Sequence, residues 1–185
     1  QGITTVHARF YHLASEYYQK VGDHAEYYHN ALRFLGCCGT SGIDIEESDD
    51  KLSQRAFTLA LAAILGKDVY NFGELLLHPI MSKMKPEFNY MRELLLAFNS
   101  GNIARFEELK PQWSAQTDLL AQEVELRKKI CLLCLMELAF NSPNGLLTFQ
   151  QIATGTRLPI GDVELLVMKA LSKGLVRGKI DEVDS

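Results

Sequence analysis

The sequence predicts a mainly α protein: a tetratricopeptide-like array of helical hairpins over residues 1–140, then a winged-helix subdomain over 141–185 with an incomplete wing. Three observations carry that reading. Apolar residues recur at i, i+3, i+4 and i+7 through the first 110 residues. Pro143, Asn144 and Gly145 then interrupt the helical pattern with a strong turn signal. Beyond them, TFQQIATGTRLPIGDVELLVMKALSKGLVRGKIDEV, Thr148 to Val183, has the outline of a helix, a turn, a second helix and the start of a β-wing.

The first hairpin lies in RFYHLASEYYQKVGDHAEYYHNALRFL. Phe10, Leu13, Ala14 and Tyr17 form one apolar stripe, Gly22 and Asp23 turn the chain, and Tyr28, Ala31, Leu32 and Leu35 carry a second stripe that Gly36 is expected to end. The pattern returns loosely at Phe57, Ala60, Leu61 and Ile64, and again at Met91, Leu94, Leu95 and Phe98, with a second helix from Ile103 to Lys110. Phe57 and Met91 are 34 residues apart, the tetratricopeptide period. Between the first two hairpins, GTSGIDIEESDD (39–50) holds two glycines and five acids without apolar periodicity, which predicts a mobile, solvated connector rather than an acidic docking tail.

Pro111 and Trp113 punctuate the chain before DLLAQEVELRKKICLLCLMELAF, which predicts one long helix to about Phe140. Cys131 and Cys134 lie inside it. A CxxC pair can supply half of a zinc site or a redox couple, but zinc needs about four ligands and redox pairs sit at strand-to-helix junctions. These two, like the neighbours Cys37 and Cys38, read instead as small core residues.

In the last segment, Leu146 and Leu147 suit a short strand, and Thr148 with Gln151 matches a capping box. Gly155 is expected to end the first helix, Pro159 to open the second at its first position, and Gly174 to end that helix after Ser172. Leu175, Val176 and Ile180 then alternate with polar residues as a half-buried strand bent at Gly178, the wing's first strand.

Charge bears on what this unit binds. The chain carries a net charge of -4 with a pI near 5.7, giving no general attraction to phosphate or anionic lipid. From residue 141 onward Arg157, Lys169, Lys173, Arg177 and Lys179 are offset by Asp162, Glu164, Asp181, Glu182 and Asp184, five minus five. The second helix opens with acids where a base-reading helix presents Arg, Lys, Asn or Gln, so nucleic acid is disfavoured. Catalysis has no candidate site: there is no G-x-x-x-x-G-K-[ST], G-x-G-x-x-G, G-x-S-x-G or H-E-x-x-H. His24 and His29 are five apart, off the shared face that metal-binding pairs use; His78 sits beside Pro79, and Glu46 and Glu47 lie in the acidic loop. No catalytic, cofactor or metal residue is expected. No signal peptide or membrane-length apolar run is present, which predicts an intracellular protein, and both ends read as cut.

The blocks RFYHLASEYYQKVGDHAEYYHNALRFLGC, RAFTLALAAILG, NFGELLLHP, AFNSGNIARFEELK, ICLLCLMEL and DVELLVMKALSKGLVRGKIDEVD resemble the PCI-domain family, and within it the proteasome-lid branch more than its COP9-signalosome and initiation-factor relatives. The resemblance implies a non-catalytic scaffold of the proteasome regulatory-particle lid, in cytoplasm and nucleus. It also implies other PCI-domain subunits as partners, with no nucleic acid, membrane, small-molecule substrate or cofactor. Its alternatives are a subunit of a sister complex or a winged-helix nucleic-acid binder. On physical grounds a wing strand has a free edge that can pair with a neighbour's strand, which makes Leu175, Val176, Arg177, Gly178 and Lys179 the candidate partner-binding residues. The concave face of the helical array offers a second surface.

Overall fold

The computed structural model describes residues 5–41, 48–142 and 145–180. Among them every regular element is helical, and the chain divides into two compact units, Gln1–Leu95 and Leu96–Ser185. The division falls inside a helix, α5.

In the first unit α1 (Thr5–Val21) and α2 (His24–Ser41) form the predicted hairpin. Gly22 supplies the turn with φ +83, and Asp23 starts α2 by accepting the Glu26 N–H at 3.1 Å on its carboxylate. The packed face of α1 is not the predicted one. Ala8 and Ser15 are buried against α2, with Tyr11 and His12 half-buried beside them, whereas Phe10, Leu13 and Tyr17 are exposed. Small residues let the two backbones approach, and the His12 ring meets Phe34 edge-on at 4.8 Å. Gly36 does not end α2: its φ is not positive, and the helix continues, burying Cys37 and Cys38. Half of the predicted acidic connector, residues 42–47, lies outside the described residues, and its first three residues belong to α2. Its last acids open α3 (Asp49–Leu65), where they suit the helix dipole and pair with Lys83 at 3.0 Å and Lys85 at 2.8 Å.

Helix α3 is buried nearly all round from Ala56 to Leu65. Phe57, Ala60, Leu61 and Ile64, the second predicted stripe, lie within that buried run. Gly66 follows because a Cβ there would meet the Ala62 carbonyl at 2.8 Å and the Ala25 Cα at 3.2 Å. The Tyr28 hydroxyl donates to the Asn71 carbonyl at 3.3 Å, and burial pushes its pKa up to about 12. A short α4 (Gly73–Leu77) and two 3-10 turns, Pro79–Lys83 and Pro86–Phe88, lead into α5 (Asn89–Asn99), which buries Met91, Leu94 and Leu95 completely.

The second unit takes the end of α5, then α6 (Ile103–Glu108), α7 (Lys110–Trp113), α8 (Thr117–Ala121), α9 (Glu123–Asn141), α10 (Phe149–Thr156) and α11 (Ile160–Ser172). The predicted helix of 103–110 is therefore two short pieces, and the predicted long helix breaks at Gln122, where φ -110 and ψ 17 leave the helical range. Trp113 is more than punctuation. It is fully buried, stacks on Phe106 at 5.0 Å and donates its indole N–H to the Phe106 carbonyl at 3.0 Å, while Phe98 meets Phe106 edge-on at 5.6 Å. The tightest backbone approach is at Gly101, φ +59, where a Cβ would lie 2.5 Å from the Cys134 Cα.

Candidate functional site

The candidate contact surface is built on α9, α10, α11 and the chain that follows them. Helix α10 starts with the capping box as predicted: Gln151 N–H donates to Thr148 Oγ1 at 3.2 Å, and Thr148 N–H to Gln151 Oε1 at 2.9 Å. It ends two residues later than predicted. Gly155 lies inside the helix, packed on Leu138, and the stop is Arg157 in the left-handed region at φ 54. Pro159 takes the cap position of α11, one residue before the first helical position. Gly174 ends α11 as predicted, with φ +67, a 3.0 Å bond from its N–H to Leu171 and another of 3.0 Å from Leu175 N–H to Ala170.

The cysteines of α9 tie this unit together. Cys134 donates to the Gly155 carbonyl at 3.4 Å, and Cys131 makes a longer contact of 3.8 Å to the Thr156 carbonyl. Burial, the leading cause in both, pushes the Cys131 thiol up to about 11 and raises Cys134 too, so both favour the neutral form over the thiolate that a metal or redox centre needs. Sequence alone did not point to a second clamp. Glu107 on α6 accepts from Arg127 on α9 at 3.0 Å and from Arg157 at the α10–α11 turn, so one carboxylate holds three elements. Nothing in the sequence marks Arg157 as the left-handed residue, because that conformation is unusual for a side chain other than Gly, Asn or Asp.

Neither Leu146–Leu147 nor Leu175–Lys179 is a strand, and no strand occurs among the described residues. Strands exist only as ladders, and these two segments do not pair with each other. Leu175, Val176, Arg177, Gly178 and Lys179 therefore run as irregular chain, with Leu175 and Val176 half-buried and the other three exposed. Beside them lies a groove of about 560 Å³. Leu135, Ile152, Val167 and Leu171 line it from the helices, and among the described residues Arg177 and Lys179 are the charged ones along it. On the other side of α11, the exposed residues include Asp162, Glu164, Leu165, Met168 and Lys169, which lack the fork-and-amide set that reads base edges.

Comparison with known proteins gives this surface a context. Residues 1–95 match the model of PSD13 N-terminal repeats, and residues 106–185 match the PCI domain. A Schizosaccharomyces pombe protein named as a probable 26S proteasome regulatory subunit rpn9 is 41% identical over 182 residues, covering 96% of this chain and 46% of that protein. A Dictyostelium discoideum protein named 26S proteasome non-ATPase regulatory subunit 13 is 37% identical over 186 residues, covering 97% and 47%. A Neosartorya fischeri protein named eukaryotic translation initiation factor 3 subunit M is 30% identical over 151 residues, covering 77% and 32%. The chain spans about half the length of the proteasomal relatives it matches.

Proposed function

We infer the function from the premise that this chain belongs to the PSD13 family, whose repeats run here into a PCI domain. Its relatives are named as regulatory subunits of the 26S proteasome, and the full-length protein acts as a non-catalytic scaffold of the regulatory-particle lid in cytoplasm and nucleus, held by other PCI-domain subunits. The observation that carries this reading is the likeness to proteasomal subunits along 96–97% of the chain, through both the repeats and the PCI domain. The chemistry supports it. The thiols of α9 favour their neutral form, and the outward residues of α11 set Asp162 and Glu164 against Lys169 beside apolar Leu165 and Met168, without the Arg, Asn or Gln that read base edges.

The contact itself is assigned to Leu175–Lys179 and the groove beside it. A neighbour's extended segment can add to this stretch by backbone hydrogen bonds, placing apolar side chains on Val167 and Leu171 and acids near Arg177 and Lys179. The test uses the tagged full-length protein. Arg177→Pro removes a backbone donor and fixes φ, which costs any pairing there a ladder hydrogen bond, about 1–3 kcal/mol with the partner carbonyl left unpaired, and should deplete lid subunits from the purified complex while leaving the helical circular dichroism unchanged. Lys179→Glu should do less, because an exposed ion pair contributes about 0–1 kcal/mol. Unchanged lid occupancy in the proline variant moves the contact to the helical array. The 30% identity to an initiation-factor subunit keeps a second reading in view, and recovery of initiation-factor subunits by the unmodified protein would select it.

A further inference from the structure

Helix α9 loses its cover before it ends. Lys129 to Leu135 are buried, every residue of the helix beyond Leu135 is half-buried or exposed, and Phe140 is 85% exposed. The helix stops at Ser142, whose φ of -74 and ψ of 118 are extended rather than helical, as the ring of a following proline favours. Pro143 is the only one of the protein's five prolines that follows a serine or threonine; the others follow His78, Lys85, Lys110 and Leu158. The half-buried Ser142 holds the turn beyond the helix with two bonds: its Oγ–H donates to the Leu146 carbonyl at 2.8 Å, and its carbonyl accepts the Gly145 N–H at 3.3 Å. Leu146 and Leu147 line both the groove beside Leu175–Lys179 and a second cavity of about 560 Å³ that Ser142 also lines. The turn thus shapes a wall of the groove.

We propose that Ser142 is a phosphoacceptor for a proline-directed serine/threonine kinase and that its phosphate opens this turn. Such a kinase takes its substrate as extended chain and prefers, after the serine, a residue with no N–H to leave unpaired. Ser142 is already extended, Pro143 lacks the donor, and the unpacked last turn of α9 can fray to extend the chain before them. The hydroxyl is held by one solvent-exposed hydrogen bond, so freeing it costs little. In the transfer the kinase's carboxylate takes the Oγ proton, Oγ bonds to the γ-phosphorus of ATP, and the bond from that phosphorus to the bridging oxygen breaks to release ADP. The product carries a charge of about -1.5 to -2 and three acceptor oxygens in place of the donor. The Leu146 carbonyl then loses this donor and faces negatively charged oxygens, while the new charge sits at the C-terminal, negative end of α9. Both effects push the turn apart and withdraw Leu146 from the groove wall. The inference is independent of lid membership.

Purified full-length protein, without lid subunits, tests it. With Mg-ATP and a purified mitogen-activated protein kinase, Ser142 should gain phosphate at a rate within about tenfold of that of a free peptide of residues 136–149. Ser142→Ala should remove that phosphate from the mass spectrum, and Pro143→Ala should slow its incorporation by about tenfold or more. In the phosphorylated protein, amides of residues 145–149 should exchange about fivefold faster or more, with those of Lys129 to Leu135 unchanged. Ser142→Ala, which removes the donor without adding charge, should accelerate them less. A peptide that is modified while the folded protein is not, or a peptide that is itself refused, overturns the acceptor site. Equal rates for Pro143→Ala overturn its recognition. Unchanged exchange over 145–149 in the phosphorylated protein, or exchange that rises along the whole of α9, overturns the local opening of the turn.

Discussion

Helices α1 and α9 carry similar apolar content to opposite ends. In α9 seven consecutive residues, Lys129 to Leu135, are buried, because α6, α8, α10 and α11 all pack on it. In α1 Val6, Phe10, Leu13, Tyr17 and Val21 are outside, and the residues packed toward α2 are Ala8 and Ser15 with half-buried Tyr11 and His12. The contrast shows that periodicity reveals an apolar stripe but not which neighbour covers it. In α1 a stripe of five large apolar side chains stays exposed, whereas in α9 the exposed ones, Val124 and Phe140, lie near its two ends.

The largest effect should come from emptying the covered core. Trp113→Ala removes a fully buried indole and leaves the Phe106 carbonyl without its donor, and should destabilise the 185-residue chain by about 3–5 kcal/mol in urea. Phe10→Ala on the exposed stripe should stay within about 0.5 kcal/mol in the same chain. Comparable losses from the two would erase the distinction between closed and open elements.

The two hairpin turns sharpen it further. Gly101 and Gly22 both have positive φ, yet a Cβ at Gly101 would lie 2.5 Å from the Cys134 Cα, while nothing stands within 4 Å of one at Gly22. Gly22→Ala should therefore cost only the left-handed penalty, about 1–2 kcal/mol. Gly101→Ala adds a clash against rigid backbone, and should cost about 3 kcal/mol or more by thermal or urea unfolding. Equal costs would mean that the turn by α9 can shift without penalty.

A smaller effect belongs to a device that the sequence did announce. Thr148→Ala removes the acceptor for the Gln151 N–H and should cost about 1 kcal/mol, with Thr148→Asp restoring most of it.

That cap shows why part of the molecule was legible and part was not. Caps and glycine stops are local chemistry, so Thr148 with Gln151, the Gly22 turn and the Gly174 stop could all be read from a few neighbouring residues. Phe57, Ala60, Leu61 and Ile64 were also legible as core, because that helix is covered on most sides and any stripe on it is buried. The α1 face was misassigned because its coverage depends on elements elsewhere. The Glu107 clamp joins residues 20 and 50 positions apart, and no short-range signal encodes it. The Leu175–Lys179 strand failed for a related reason: alternation describes a segment able to pair, but a ladder needs a partner.

The smallest expected effect is local and depends on pH. His78 precedes the 3-10 turn at Pro79–Lys83, and its Nδ1 accepts the Ile80 N–H at 3.1 Å. That bond requires an unprotonated Nδ1. Partial burial, the leading cause, holds the His78 pKa below its usual value, while nearby Glu74 acts in the opposite direction. A folded-state pKa below the unfolded 6.5 means that the contribution is fully present above pH 6.5 and is lost as pH falls from there through the folded value. The turn should open locally while α3 and α5, whose Leu59, Ile64, Leu94 and Leu95 are fully buried, stay folded. An NMR titration should show His78 titrating below 6.5, with faster exchange of the Ile80 amide at low pH than expected for intrinsic chemistry. His78→Asn keeps a short side-chain acceptor and should make that amide insensitive to pH in the same range. If Ile80 exchange follows the global unfolding curve instead, the cap is no separate element, and the first unit opens only as a whole.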